Sequence, residues 1–93
     1  MPVYKLEPIE GTENHGDWWA SSLSPTTVWV RAHDPDHARH RMHVATRMAL
    51  ASDEGIKAPW ISAALVRCTE DSSFEVPSDK ALLANGKITI EIP

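Results

Sequence analysis

The sequence predicts an α+β fold: a two-layer sandwich with one long helix, at about 34–52, on one face of a small, mostly antiparallel sheet of about four strands. Three observations lead there. Residues 26–32 are rich in Thr, Val and Trp, which favour an extended backbone, and they alternate between two faces. The segment after Asp34-Pro35 repeats apolar residues at helical spacing. Residues 87–92 alternate isoleucine with Lys, Thr and Glu.

The elements follow in order. Residues 2–7 read as a first strand, with Pro2 at its start. Residues 8–25 hold Pro8, Gly11, Gly16 and Pro25 and read as a long loop, packed down by Trp18 and Trp19. In the strand Thr26 to Ala32, Val28, Val30 and Ala32 share one face, and Thr27, Trp29 and Arg31 the other. Asp34 caps the helix and Pro35 takes its first position, where a missing N–H costs nothing. Ala38, Met42, Ala45 and Ala49 form the stripe toward the sheet. Trp60 to Thr69 is apolar on both faces and reads as a central strand. Ser78 to Leu83 reads as one helical turn, and Asn85-Gly86 as a tight turn. In the last strand, Lys87 to Ile92, Ile88, Ile90 and Ile92 point inward.

The chain of 93 residues is one domain, 1–93. Its formal charge of −4 disfavours nucleic acid and anionic membranes as partners. No apolar run approaches the ~20 residues of a membrane span. One cysteine, Cys68, excludes an internal disulfide and a cysteine zinc cage. With no basic, apolar leader in the first residues, the expected compartment is the cytoplasm.

Histidines cluster at 33, 37, 40 and 43. His37, His40 and His43 are the metal candidates, since helical residues three apart are neighbours. At 100° per residue, however, the three spread over roughly 120° and cannot meet one ion. The expectation is a solvated polar face with no cofactor. Arg39, Arg41 and Arg47 on the same helix make the locally basic surface that a nucleic-acid accessory role needs. Asp34 and Asp36 partly neutralise it.

Four tryptophans, 18, 19, 29 and 60, are many for one helix on one small sheet. Trp29 sits on the face the helix leaves uncovered. Its cover is either Trp18 or Trp19 from the 8–25 loop or a partner chain, because tryptophan is favoured at interface centres. Trp18, Trp19, Trp29, Arg31, Arg39 and Arg47 are therefore the interaction candidates. A homodimer or a protein partner is the partner expectation.

Catalytic patterns are weak. His15, Asp17, Ser21, Ser22 and Ser24 lie close in sequence, but no nucleophile elbow frames a serine. Cys68 reads as a core residue in its strand. The expected function is a small noncatalytic binding or interaction module. Metal or ligand binding by the histidine helix is the alternative, followed by a nucleic-acid accessory role.

The run Val28-Trp29-Val30-Arg31-Ala32-His33-Asp34-Pro35-Asp36-His37-Ala38-Arg39 resembles a unit of small uncharacterised bacterial α+β proteins. In it a strand ends in alanine, an acidic cap follows, and an Ala-Arg pair opens the helix. The resemblance implies a fold element and no activity.

Overall fold

The computed structural model describes residues 1–16, 18, 21–46, 59–83 and 88–92. Among the described residues, five strands form one sheet: β1 (Val3–Pro8), β2 (Val28–Arg31), β3 (Val66–Glu70), β4 (Lys80–Leu83) and β5 (Ile88–Glu91). Their spatial order is β3-β1-β2-β4-β5, and every neighbouring pair is antiparallel. The helix α1 (Pro35–Thr46) packs against β1, β2 and β3. The α+β class is as the sequence predicts, with five strands in place of four.

Because β1 is antiparallel to both β2 and β3, those two run parallel with β1 between them. The segment carrying α1 therefore crosses over from β2 to the far side of β1.

The register sorts side chains onto two faces. Tyr4, Leu6, Val28, Val30, Val66, Ala81 and Leu83 share the helix face. They join Ala38, Met42, Trp18, Trp60 and Ile92 in the main core. Ala38 and Met42 are fully buried, as the helical spacing predicts. Ala49 and the expected helix end near 52 lie outside the described residues. On the opposite face Val3, Trp29 and Leu82 form a second, smaller core with Val76 and Phe74.

Three expectations are corrected. The run 60–69 is not one central strand. Pro59–Ile61 is a short 3-10 turn, and the strand begins at Val66. Pro59 suits the start of a turn because it has no N–H to leave unpaired. Trp60 then plugs the main core as a wholly buried side chain. β3 is an edge strand, with Arg67, Thr69 and Glu70 exposed. The second correction concerns Ser78 to Leu83. Lys80–Leu83 is a strand, β4, interior to the sheet. Alanine and leucine favour helix, but burial on both sheet faces overrides that preference. The third concerns Ile88, which is 55% exposed rather than inward. It shares the helix face of the sheet through its partner Leu83. The strand lies at the far edge from β3, and α1 packs toward the β3 side.

Candidate functional site

The start of α1 builds the histidine cluster. Asp34 Oδ1 accepts the His37 backbone N–H at 2.7 Å, the expected cap. The His37 side chain reaches back, and its Nδ1 accepts the His33 backbone N–H at 3.0 Å. Two otherwise unpaired donors are thus satisfied reciprocally, in the manner of a capping box with histidine in the glutamate role. The rings of His33 and His37 stack with centroids 4.9 Å apart and planes 15° from parallel.

In this arrangement the His37 Nδ1 is engaged by the backbone of its own chain. His40 and His43 form a separate pair, with centroids 6.5 Å apart and planes tilted by 54°. The three metal candidates therefore divide between two pairs. Among the described residues no group of three or more His, Cys, Asp or Glu side chains is arranged to hold a metal.

The arginines are used inside the molecule. Arg31 donates from Nε to the Val76 carbonyl at 2.6 Å and from Nη1 to the Met1 carbonyl at 2.9 Å. Arg39 Nη1 lies 3.4 Å from the carbonyls of both Trp60 and Ser62, tying α1 to the 3-10 turn. Arg41 donates to the Arg31 carbonyl at 2.6 Å and to the Ser78 carbonyl. These three guanidinium groups fasten loops to the sheet and the helix. Arg47 lies outside the described residues.

The tryptophans divide between the two cores. Trp18 is 6% exposed and meets Trp60 edge to face, centroids 5.2 Å apart. Trp29 is 4% exposed, and Trp18 lies in the other core. Among the described residues, the loop after β3 covers the Trp29 ring. Phe74 stands edge-on to its ring at 4.7 Å, and its indole N–H lies 3.4 Å from Asp71 Oδ2. Lys5 Nζ lies 5.9 Å from the centre of the same ring. Of the expected covers, Trp18 is corrected, since it packs in the main core. The sequence signal was Phe74 and Val76, two apolar residues within a polar loop. Trp19 lies outside the described residues.

Other chemical groups are similarly engaged. Ser21 Oγ donates to the Leu23 carbonyl at 2.8 Å and accepts the Trp60 indole N–H at 3.0 Å. Its hydroxyl is therefore occupied. Burial pushes the Cys68 thiol above its ordinary pKa, against a lowering by Arg39, and Asp36 raises it further. A raised thiol is a poor nucleophile at neutral pH. A cleft of about 310 Å³ runs beside the 13–25 loop, lined in part by His15, Trp18 and Pro25. The Trp18 indole nitrogen has no partner among the described residues. It is buried, although Trp18 is among the residues that line the cleft.

The sheet has two edges, β3 and β5, and among the described residues of these two strands it is β5 that carries a large exposed apolar side chain, Ile88. β5 pairs on one side with β4 and lies at the edge of the sheet. Ile88, Thr89 and Glu91 are exposed, and Ile90 is partly buried. Its backbone directions follow from the register. Ile92 N–H donates to the Asp79 carbonyl at 2.9 Å, one step beyond the Lys80–Glu91 pair. Hydrogen-bonded pairs recur every second residue in an antiparallel ladder. Ile90 and Ile88 therefore face β4 with their peptide groups, and Thr89 and Glu91 turn theirs outward.

No protein family, characterised protein or solved structure matches the chain.

Proposed function

We infer that the protein is a small, noncatalytic interaction module that associates through the free edge of β5. The observation that carries this reading is the outward peptide groups of Thr89 and Glu91 beside an exposed Ile88. An open edge is a template for a further strand unless it is blunted by proline, bulges or covering loops. The described β5 residues contain no proline. His33, His37, Arg31, Arg39 and Arg41 are engaged within the chain, so the reading does not rest on them. Trp29 and Trp18 serve as core residues in this reading. Among the described residues no helix is long and apolar enough to cross a membrane. A lone thiol suits the reducing cytoplasm as the working compartment.

The test is sedimentation velocity over a wide concentration range, on the wild type and on Thr89→Pro. Proline removes an outward N–H and leaves the bonds to β4 intact, a position edge strands tolerate. The reading expects reversible association in the wild type and its loss in Thr89→Pro with folding retained. A wild type that stays monomeric throughout would overturn it, and so would association that Thr89→Pro leaves unchanged.

A further inference from the structure

We propose that Arg31 and Lys80 bind the phosphate group of a small molecule in the groove between the end of β2 and the loop before β4. This site is separate from the β5 edge. The groove has a volume of about 460 Å³ and is lined by Arg31, Glu75, Val76, Pro77 and Ser78.

Arg31 is fixed in place before any ligand arrives. Its Nε and Nη1 donate to the Val76 and Met1 carbonyls. A side chain held in this way has little rotamer freedom left to lose on binding. Both acceptors are neutral, so the bonds position the guanidinium group without cancelling its charge. Among the described residues Arg31 forms no ion pair, and its Nη2 makes no hydrogen bond.

A second cation stands beside it. Arg31 and Lys80 are each two residues from the Trp29–Leu82 pair on neighbouring strands, so alternation puts both on the face of the second core. The Lys80 backbone N–H donates to the Pro77 carbonyl at 3.3 Å, which joins the groove loop to the start of β4. Lys80 is partly buried and also forms no ion pair among the described residues. Glu75 lines the groove and Glu91 lies across the ladder from Lys80, yet neither pairs with these cations. Like charges on neighbouring strands destabilise a ladder, and an anion between them removes that cost.

The donors suit phosphate better than carboxylate. Arginine clamps a planar carboxylate with two parallel N–H groups. Here Nε and Nη1 are engaged by carbonyls, which leaves Nη2 to reach one oxygen. A phosphate monoester carries a charge of about −2 on three terminal oxygens. Arg31 Nη2, the Lys80 ammonium and the exposed Ser78 hydroxyl on the groove wall supply one donor for each. The groove is larger than one phosphate group, so the organic part of the ester has room along Pro77.

The experiment is a titration of the full chain followed by amide NMR at constant ionic strength. The probes are inorganic phosphate and glycerol phosphate, with acetate and chloride as controls. Saturable shifts at Arg31 and residues 75–80 are expected with either probe and with neither control. Lys80→Met should weaken binding about tenfold, the loss of one hydrogen bond to a charged group. Circular dichroism checks that this variant stays folded; because Lys80 holds no other side chain, it keeps the test open even if an Arg31 variant unfolds. Shifts that do not saturate, that acetate or chloride reproduces, or that Lys80→Met leaves unchanged overturn the proposal.

Discussion

Trp60 and Ser21, 39 residues apart in sequence, are joined by a buried hydrogen bond of 3.0 Å from the indole N–H to the serine oxygen. The bond ties the 3-10 turn before β3 to the loop before β2. Ser22 continues the tie, since its N–H donates to the Thr46 carbonyl at the end of α1 at 2.7 Å. Ser21→Ala leaves the buried indole donor unpaired, and such a loss costs about 1–3 kcal/mol. Chemical denaturation should show that decrease with an unchanged slope. A loss within experimental error would mean that water replaces the serine.

The start of α1 gives a second prediction. Asp34→Ala removes the cap and should cost about 0.5–2 kcal/mol. His37→Ala keeps that cap but frees the His33 N–H, which is exposed and can turn to water. Its cost should therefore be the smaller of the two. Thermal unfolding of the two variants tests the order, and a larger loss for His37→Ala would refute it.

Asp71 gives the pH dependence. Hydrogen bonds from the Ser73 hydroxyl and backbone N–H, with the Trp29 indole adding to them, hold its carboxyl below the usual aspartate value despite partial desolvation. A depressed folded value means that the unfolded chain binds the proton more readily. The contribution is therefore present above the ordinary aspartate pKa of about 3.9 and is lost as pH falls through the folded value. Stability measured against pH should decline over that acidic window, and Asp71→Asn should flatten the decline. An identical profile in the variant would assign the acid sensitivity elsewhere.

Much of the fold is legible in the sequence because local signals agree with tertiary ones. Alternation around Trp29, the Asp34-Pro35 cap and the isoleucine ladder each mark an element at its observed place. The failures arise where packing overrides local preference. The apolar run from Trp60 reads as a strand, yet tryptophan at a proline-led turn fills the core better than it extends the sheet. Ala81 to Leu83 reads as helix, yet both of its faces meet hydrophobic layers. The edge of β5 was hidden for a different reason. Alternation assigns a side chain to a face, but it cannot say how far along the sheet the covering helix reaches.

Cys68 should react slowly. Its thiol lies 3.9 Å from the Pro35 carbonyl, and burial raises its pKa. Modification by a disulfide reagent should accelerate only at pH above the ordinary thiol value of about 8.5. In denaturant the rate should rise to that of a free thiol. Rapid labelling of the folded protein at neutral pH would contradict the raised value.

Trp29 closes the argument between interface and core. Its ring is enclosed by Phe74, Val76, Leu82 and Val3 of its own chain. Trp29→Ala should therefore destabilise the fold by about 3–5 kcal/mol, the usual cost of emptying a large aromatic site. Total stability for a domain of this size is on the order of 5–10 kcal/mol, so the variant should sit near the limit of folding. Trp29→Phe separates the indole N–H from the ring. It keeps most of the packing and loses the contact with Asp71, which should cost about 0.5–1.5 kcal/mol. It should also move the Asp71 carboxyl toward its ordinary value, because one of the groups that lower it is gone. Association through β5 should be unchanged in Trp29→Phe, since that edge lies beyond β4 from Trp29. Sedimentation of this variant, alongside its acid unfolding profile, tests both claims. Loss of association with stability intact would return Trp29 to the interface.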